Sequence, residues 1–111
     1  MTLSAFAVEL TQGAVDDLEA IHRYISAHRS PAAGDALLDQ MLATVTTLER
    51  FPDRGSCPAE LERLGIREFR QLLCEPYRLI YRTVGQTVFV LLIADGRRDL
   101  QSLLERRLLG R

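Results

Sequence analysis

Apolar and polar positions change period twice along the chain. Residues 3–10 (LSAFAVEL) alternate loosely around Phe6 and Val8 and predict a first strand. From Ala14 the period becomes helical, with Ala14, Leu18, Ile21 and Ile25 forming a stripe flanked by Val15 and His22. Thr11 stands where an N-cap belongs, and Asp16, Asp17 and Glu19 lie near the positive end of the helix dipole. This helix is predicted to run to about His28. Ser30-Pro31 then pairs a capping hydroxyl with proline at the first helical position. Leu37, Leu38, Met41, Val45 and Leu48 mark a second amphipathic face, closed by Phe51-Pro52-Asp53-Arg54-Gly55. The two helices and their short polar turn form an antiparallel hairpin.

Residues 52–65 read as irregular, and after them the pattern is extended. Ile66–Cys74 and Tyr77–Val84 are predicted strands separated by the turn Glu75-Pro76. Gly85-Gln86 supplies a tight turn into Thr87–Ala94. That segment is the most apolar strand, so it is expected to be central and buried. Asp95-Gly96 ends it, and Leu100–Leu109 predicts a short terminal helix. The order β-α-α-β-β-β-α over residues 1–111 is that of one α+β domain. An N-terminal strand and an antiparallel helical hairpin pack on a three- to four-stranded antiparallel sheet, with a short C-terminal helix. One layer of helices is expected on one layer of sheet.

Composition narrows the classes. The 111 residues are 47% hydrophobic, too apolar for a disordered chain. Val88–Ala94 is the longest apolar run, far short of a membrane span, and the N-terminus does not read as a signal peptide. Cys57 and Cys74 are too few for a disulfide framework and lack metal-ligand spacing, so they read as idle thiols. A cytoplasmic protein is the expectation, with no membrane contact.

The net charge of −1 conceals a dipole. Residues 1–62 hold four arginines against ten acids, and residues 63–111 hold ten arginines against five acids. There is no lysine. Such segregation has two readings of equal standing. One is a basic face for an acidic partner or nucleic acid. The other is an acidic helical layer and a basic sheet layer that complement each other.

Chemistry is sparse. His22 and His28 have no acid or cysteine at zinc spacing, so no metal is expected. No nucleophile elbow and no phosphate-binding glycine loop occurs, and no cofactor is expected. The arginines on or beside the strands carry more information: Arg67, Arg70, Arg78, Arg82, Arg97 and Arg98. Alternation places Arg78 and Arg82 on one face with Ile80, and Leu79 and Tyr81 on the other. Arginine there can bind carboxylate or phosphate bidentately, while Phe69, Tyr77 and Tyr81 lie near enough to stack. Pairing of these arginines with Glu68, Glu75, Asp95 and Asp99 on a solvated surface is the alternative.

Several segments in order carry a family resemblance. They are Val8-Glu9-Leu10-Thr11 with Ala14 and Asp17-Leu18; Ile21 with Tyr24-Ile25; Leu48 with Phe51-Pro52 and Gly55; Ile66-Arg67-Glu68-Phe69-Arg70; Pro76 to Arg82; and Gly96-Arg97-Arg98-Asp99-Leu100. With this set the chain resembles the RelE/ParE superfamily of bacterial type II toxin–antitoxin toxins, a group tied to plasmid stabilisation. The resemblance implies the fold already read from the pattern, and a cognate antitoxin, small and of the ribbon-helix-helix DNA-binding type, in a hetero-oligomer. It also implies one of two mechanisms. ParE-like members inhibit DNA gyrase by protein contact. RelE-like members cleave mRNA on the ribosome with a basic cluster and acid–base groups.

Matched residue by residue, Arg78 corresponds to an arginine common to both branches, and Arg97 or Arg98 to the basic position after the last strand. The strand that carries lysines in the nucleases offers Phe69, Arg70 and Gln71 instead. The C-terminal tyrosine of the nucleases is missing from Leu100–Leu109. Arginine stays protonated and cannot act as a base. The resemblance therefore implies a ParE-like toxin with Arg70, Arg78, Tyr81, Arg82, Arg97 and Arg98 as target-binding residues. The alternative is a nuclease using Arg70, Arg78 and Arg97, with Glu68, Glu75, Tyr81, Asp95 or Asp99 to move protons.

Overall fold

A computed structural model of the chain describes residues 5–108. Strand β1 (Ala7–Leu10) leads into helix α1 (Gln12–His28), which turns at Arg29-Ser30 into α2 (Pro31–Thr46). A 3-10 turn at Thr47–Glu49 and a short helix α3 (Ala59–Glu62) precede the meander β2 (Arg70–Cys74), β3 (Tyr77–Val84) and β4 (Thr87–Asp95). Helix α4 (Leu100–Leu108) closes the described chain. The predicted start of β1 at Leu3 and Ser4, and the end of the last helix at Leu109, lie outside the described residues.

Both long helices begin as their capping residues require. The Thr11 hydroxyl accepts from Ala14 N–H at 3.3 Å, and the Ser30 hydroxyl accepts from Ala33 N–H at 3.0 Å. The hairpin closes tightly because Gly34 has no side chain: a Cβ there would collide with the Ser26 hydroxyl. His22 and Asp35, 2.8 Å apart, tie the two helices at the same level. Asp16 and Asp17 fall beyond the first turn of α1, so neither caps the helix.

The sheet order is β1-β4-β3-β2. The meander is antiparallel as predicted, with Gly85 at a left-handed φ of 60° in its tight turn. Strand β1 joins on the far side of β4 and runs parallel to it, pairing Ala7–Leu10 with Thr87–Val90. The long excursion from Leu10 to Thr87 supplies the crossover that a parallel pair needs. Strand β2 begins at Arg70 rather than Ile66. Gly65, at φ 76°, closes α3, and Ile66 N–H donates to Leu61 C=O, which holds Ile66 against the helix.

The single helical layer expected from the pattern is a misreading, because helices cover the sheet on both faces. The hairpin packs Ala14, Met41, Val45 and Leu48 against Leu79, Tyr81, Val88 and Val90. On the opposite face Leu61 of α3 and Leu100 and Leu104 of α4 meet Phe69, Ile80, Leu92 and Ala94. A bulge opposite Ile80-Tyr81 shifts the β3–β4 register, so Leu91 and Leu92 both serve this second core. The run Val88–Ala94 is apolar throughout because helices cover both of its faces, with Phe89 and Leu91 left partly buried. Among the described residues no helix is long and apolar enough to cross a membrane.

Beyond Val90, β4 has no strand on its β1 side. Side chains take over that edge. Asp17 accepts from Ile93 N–H at 3.0 Å, and Arg107 donates to Leu91 C=O at 3.1 Å. Arg107 also forks onto Asp17 at 2.9 and 3.1 Å, lying across Gly13. This clasp joins α1, β4 and α4. Replacing Asp17 with Ala is expected to destabilise the protein by about 2–3 kcal/mol, because it leaves a partly buried guanidinium and a strand N–H unpaired. Urea unfolding of the variant beside wild type measures it, and a loss below about 0.5 kcal/mol contradicts the clasp.

Candidate functional site

The arginines singled out from the sequence do not converge on one surface. Arg78 and Arg82 lie on the α3/α4 face of β3, as alternation requires. Arg70 pairs in register with Tyr81 and therefore sits on the other face, toward the hairpin. Arg97 and Arg98 follow β4 at the end of the sheet where β3 begins.

Arg78 is fully engaged. Its guanidinium donates to both carboxylate oxygens of Glu60, at 2.8 and 2.9 Å, and its Nε donates to Gln71 Oε1 at 2.7 Å. The two charged side chains are 14% and 20% exposed, so little of the pair faces water. The Arg78 hydrogen bonds hold the Glu60 carboxyl below its ordinary range, against the opposing effect of burial. Glu60 lies in a segment that reads as irregular. Pro58 before an acid-rich Ala59-Glu60-Leu61-Glu62 is the local signal that a helix starts there.

Tyr81 is buried completely and cannot serve as the exposed contact that the resemblance implies. Its hydroxyl donates to Pro52 C=O at 2.7 Å and accepts from Gly55 N–H at 3.0 Å. Burial pushes the phenol above its ordinary value, so it does not supply a base. Arg70 braces the same loop, donating to Gly55 C=O at 2.6 Å and Asp53 C=O at 3.2 Å. These two residues order the Pro52–Gly55 loop. Arg82 lies over the Phe69 ring at 5.6 Å, 3.9 Å from Glu68, with its side chain 41% exposed.

Four of the seven ion pairs among the described residues join the arginine-rich half to the acidic half: Arg67–Glu62, Arg70–Asp53, Arg78–Glu60 and Arg107–Asp17. Much of the charge segregation is therefore spent inside the molecule. Two exposed cations follow β4, Arg97 and Arg98. Arg97 donates to both oxygens of Asp95, at 2.9 and 2.6 Å, yet its side chain is 80% exposed. That fork, with the Arg97 backbone N–H, holds the Asp95 carboxyl down at about 2. The pair therefore stays charged throughout the physiological range. Arg98 makes no ion pair among the described residues.

Arg97 and Arg98 line the rim of a cleft of about 840 Å³ between the helical hairpin and the end of the sheet. Tyr77 forms part of its floor, with its phenol pushed up by burial and by Asp95. Tyr24, stacked on His28 at 4.0 Å, stands on the facing wall with Arg29. Neither histidine meets a proton-transfer partner in this cleft. Among the described residues no group of three His, Cys, Asp or Glu side chains is placed to hold a metal. Cys74 is buried and its thiol is pushed up by burial, while Cys57 bonds to local carbonyls.

Residues 8–100 match the family model described as ParE toxin of the type II toxin–antitoxin system parDE. The chain is 29% identical over 91 residues to Toxin ParE3 of Caulobacter vibrioides, covering 82% of this chain and 87% of that protein. Its fold is similar to that of a chain in the chromosomal ParDE toxin–antitoxin system of P. aeruginosa, with TM-score 0.70 and 21% identity over 84% of this chain and 98% of that one. A chain of the RelBE2 toxin–antitoxin complex of Mycobacterium tuberculosis shares the fold at TM-score 0.57 and 22% identity, covering 82% of this chain and 98% of that one.

The Arg78–Glu60 pair generates an acid-dependent stability. The Glu60 value is lowered on folding, so its contribution is complete above the ordinary glutamate range and fades as pH falls through the folded value. Glu60→Gln is expected to lose on the order of 2–3 kcal/mol at pH 7, since Arg78 keeps its charge in a largely enclosed site. The deficit relative to wild type should shrink below about pH 4. Urea unfolding of both proteins across pH 3–7 measures this, and a pH-independent deficit contradicts it.

Proposed function

Because the chain belongs to the ParE toxin family of type II toxin–antitoxin systems, we propose that it acts by stoichiometric contact with DNA gyrase and is neutralised by a cognate antitoxin. The observation that carries the reading is the state of Arg78. On the strand where a RelE-like nuclease would hold RNA, this guanidinium already forks onto Glu60 and is capped by Gln71. A phosphate would have to displace a carboxylate that is close, oriented and mostly shielded from water. Cleavage through a 2′-OH also needs a proton acceptor and donor beside the held backbone. Tyr81 is enclosed and Asp95 is committed to Arg97. These engagements of Arg78, Tyr81 and Asp95 favour the binding reading over the RNA-cleaving alternative.

A binding surface requires less. Arg97 and Arg98 project from the end of the sheet, and Asp95 fixes the direction of the first. Arg82 adds a half-exposed cation on the α4 side. With Nε and Nη2 held by Asp95, the outward N–H groups of Arg97 are pre-oriented and lose less side-chain freedom on meeting a carboxylate. Arg70, Arg78 and Tyr81 support this surface from within, by ordering the loop and the sheet beneath it.

Added to a gyrase supercoiling assay, the purified protein is expected to stop supercoiling at stoichiometric excess. Reversing both Arg97 and Arg98 to Glu should raise the half-inhibitory concentration by about tenfold or more. Full supercoiling at high excess of folded protein overturns the reading. Codon-positioned mRNA cleavage in a translating extract, abolished by Arg78→Ala, would establish the nuclease instead.

A further inference from the structure

Phe51 is the most exposed large apolar side chain among the described residues, at 62%. An exposed phenyl ring on a loose loop would mean little, but this loop is held at almost every residue. Phe51 N–H donates to Thr47 C=O at 3.0 Å, and Arg54 N–H donates to Phe51 C=O at 3.2 Å. Tyr81 fixes Pro52 and Gly55, and Arg70 fixes Asp53 and Gly55. Ser56 exchanges two backbone hydrogen bonds with Gln71 of β2, at 2.7 and 3.3 Å. Gly55 packs so closely that a Cβ there would collide with Gln71 C=O and the Tyr81 hydroxyl. The ring therefore stands out from a rigid base. Arg50 and Arg54 flank it, both exposed and without an ion pair among the described residues. A 2.7 Å hydrogen bond to Thr47 Oγ1 aims the Arg54 guanidinium. Glu49 C=O accepts from Phe6 N–H, one residue before β1 pairs with Thr87. The loop thus lies toward the Gly85 turn, at the other end of the sheet from Arg97 and Arg98.

We propose that Phe51 is a second anchor for the target, inserted into an apolar pocket on gyrase, with Arg50 and Arg54 donating to the pocket's rim. The proposal rests on the gyrase reading above. Shape selects the partner. A single ring projecting from a rigid loop needs a preformed pocket, which a folded enzyme has and a segment disordered before binding lacks. Binding energy concentrates in aromatic and arginine side chains of this kind, and a ring on an ordered base loses little freedom on insertion. Contacts at both ends of the sheet also require a broad partner. Tyr81, which is enclosed and cannot touch the target, is then a positioning residue that sets the direction of the ring.

The test is gyrase supercoiling with the full chain. Phe51→Ala is expected to raise the half-inhibitory concentration by about tenfold or more, with circular dichroism and melting unchanged. Leu73→Ala trims a leucine of β2 that is 58% exposed, and is expected to inhibit within about twofold of wild type. Tyr81→Phe deletes the hydroxyl that holds the loop. It is expected to weaken inhibition by about threefold or more in the wild-type background and to have no further effect beside Phe51→Ala, whereas a merely structural role would cost inhibition in both. If wild type inhibits and Phe51→Ala inhibits within about twofold of it, the proposal falls and the gyrase reading stands. An equal loss in Leu73→Ala overturns the proposal too, as does a Tyr81→Phe loss that persists beside Phe51→Ala. Self-association of the unaltered chain that Phe51→Ala abolishes would make the occupant a second copy. Weaker binding of Phe51→Ala to the antitoxin made from the adjoining gene, with gyrase inhibition intact, would make it the antitoxin. Either result overturns the proposal. Failure of the unaltered chain to inhibit gyrase overturns the gyrase reading with it.

Discussion

Strand β4 must be kept from water on every side, and the rest of the molecule is arranged around that requirement. Val88, Val90, Leu92, Ile93 and Ala94 are all buried, and they divide between two cores on opposite faces of the sheet. Burying each of the larger side chains contributes about 1.5–3 kcal/mol, so exposing either face would remove a large share of a net stability on the order of 5–15 kcal/mol. The helical hairpin covers one face, and α3 with α4 covers the other. Strand β3 takes one edge, and β1 takes the first half of the opposite edge. Where β1 ends, Asp17 and Arg107 supply the hydrogen bonds that a longer strand would have made.

This enclosure decides what the charged residues can do. The α3/α4 layer that shields Ile80 and Leu92 also brings Glu60 onto Arg78. A guanidinium on a half-shielded strand needs a partner, and the chain provides one internally. Arg78 is thereby turned into part of the support. The same logic places Arg70 and Tyr81 under the Pro52–Gly55 loop, where four backbone groups find their partners. Past Asp95, where the sheet has ended, Arg97 and Arg98 project outside that enclosure. Both Arg97 and Arg98 stand at this corner, on the rim of the cleft between the hairpin and the end of the sheet.

The elements with strong periodicity were readable directly. Thr11 and Ser30 cap the helices named from their spacing, and the three meander strands follow the turns at Glu75-Pro76 and Gly85-Gln86. The opposite faces assigned to Arg78 and Tyr81 also hold, because side-chain alternation is a local property of an extended chain. Helix α3 escaped notice, since four residues have too little length to display a period. The candidate site was legible only as a list of residue types. Nothing in the spacing of Glu60 and Arg78, eighteen positions apart, announces that they touch.

Sequence alone determined the α+β class, the hairpin, the order of the meander and the family, because these rest on local periods, caps and turns that add up along the chain. It also determined that a surface without lysine offers permanent cations and no titratable amine. Tertiary structure decided which of those cations are available. Whether an arginine meets a carboxylate or a partner depends on elements distant in the chain arriving at the same place: α3 beside β3, α4 beside α1, and the hairpin turn facing the end of β4. The continuous apolar run of β4 implied that both its faces were covered, but only packing could say that a four-residue helix and the C-terminal helix would cover the second.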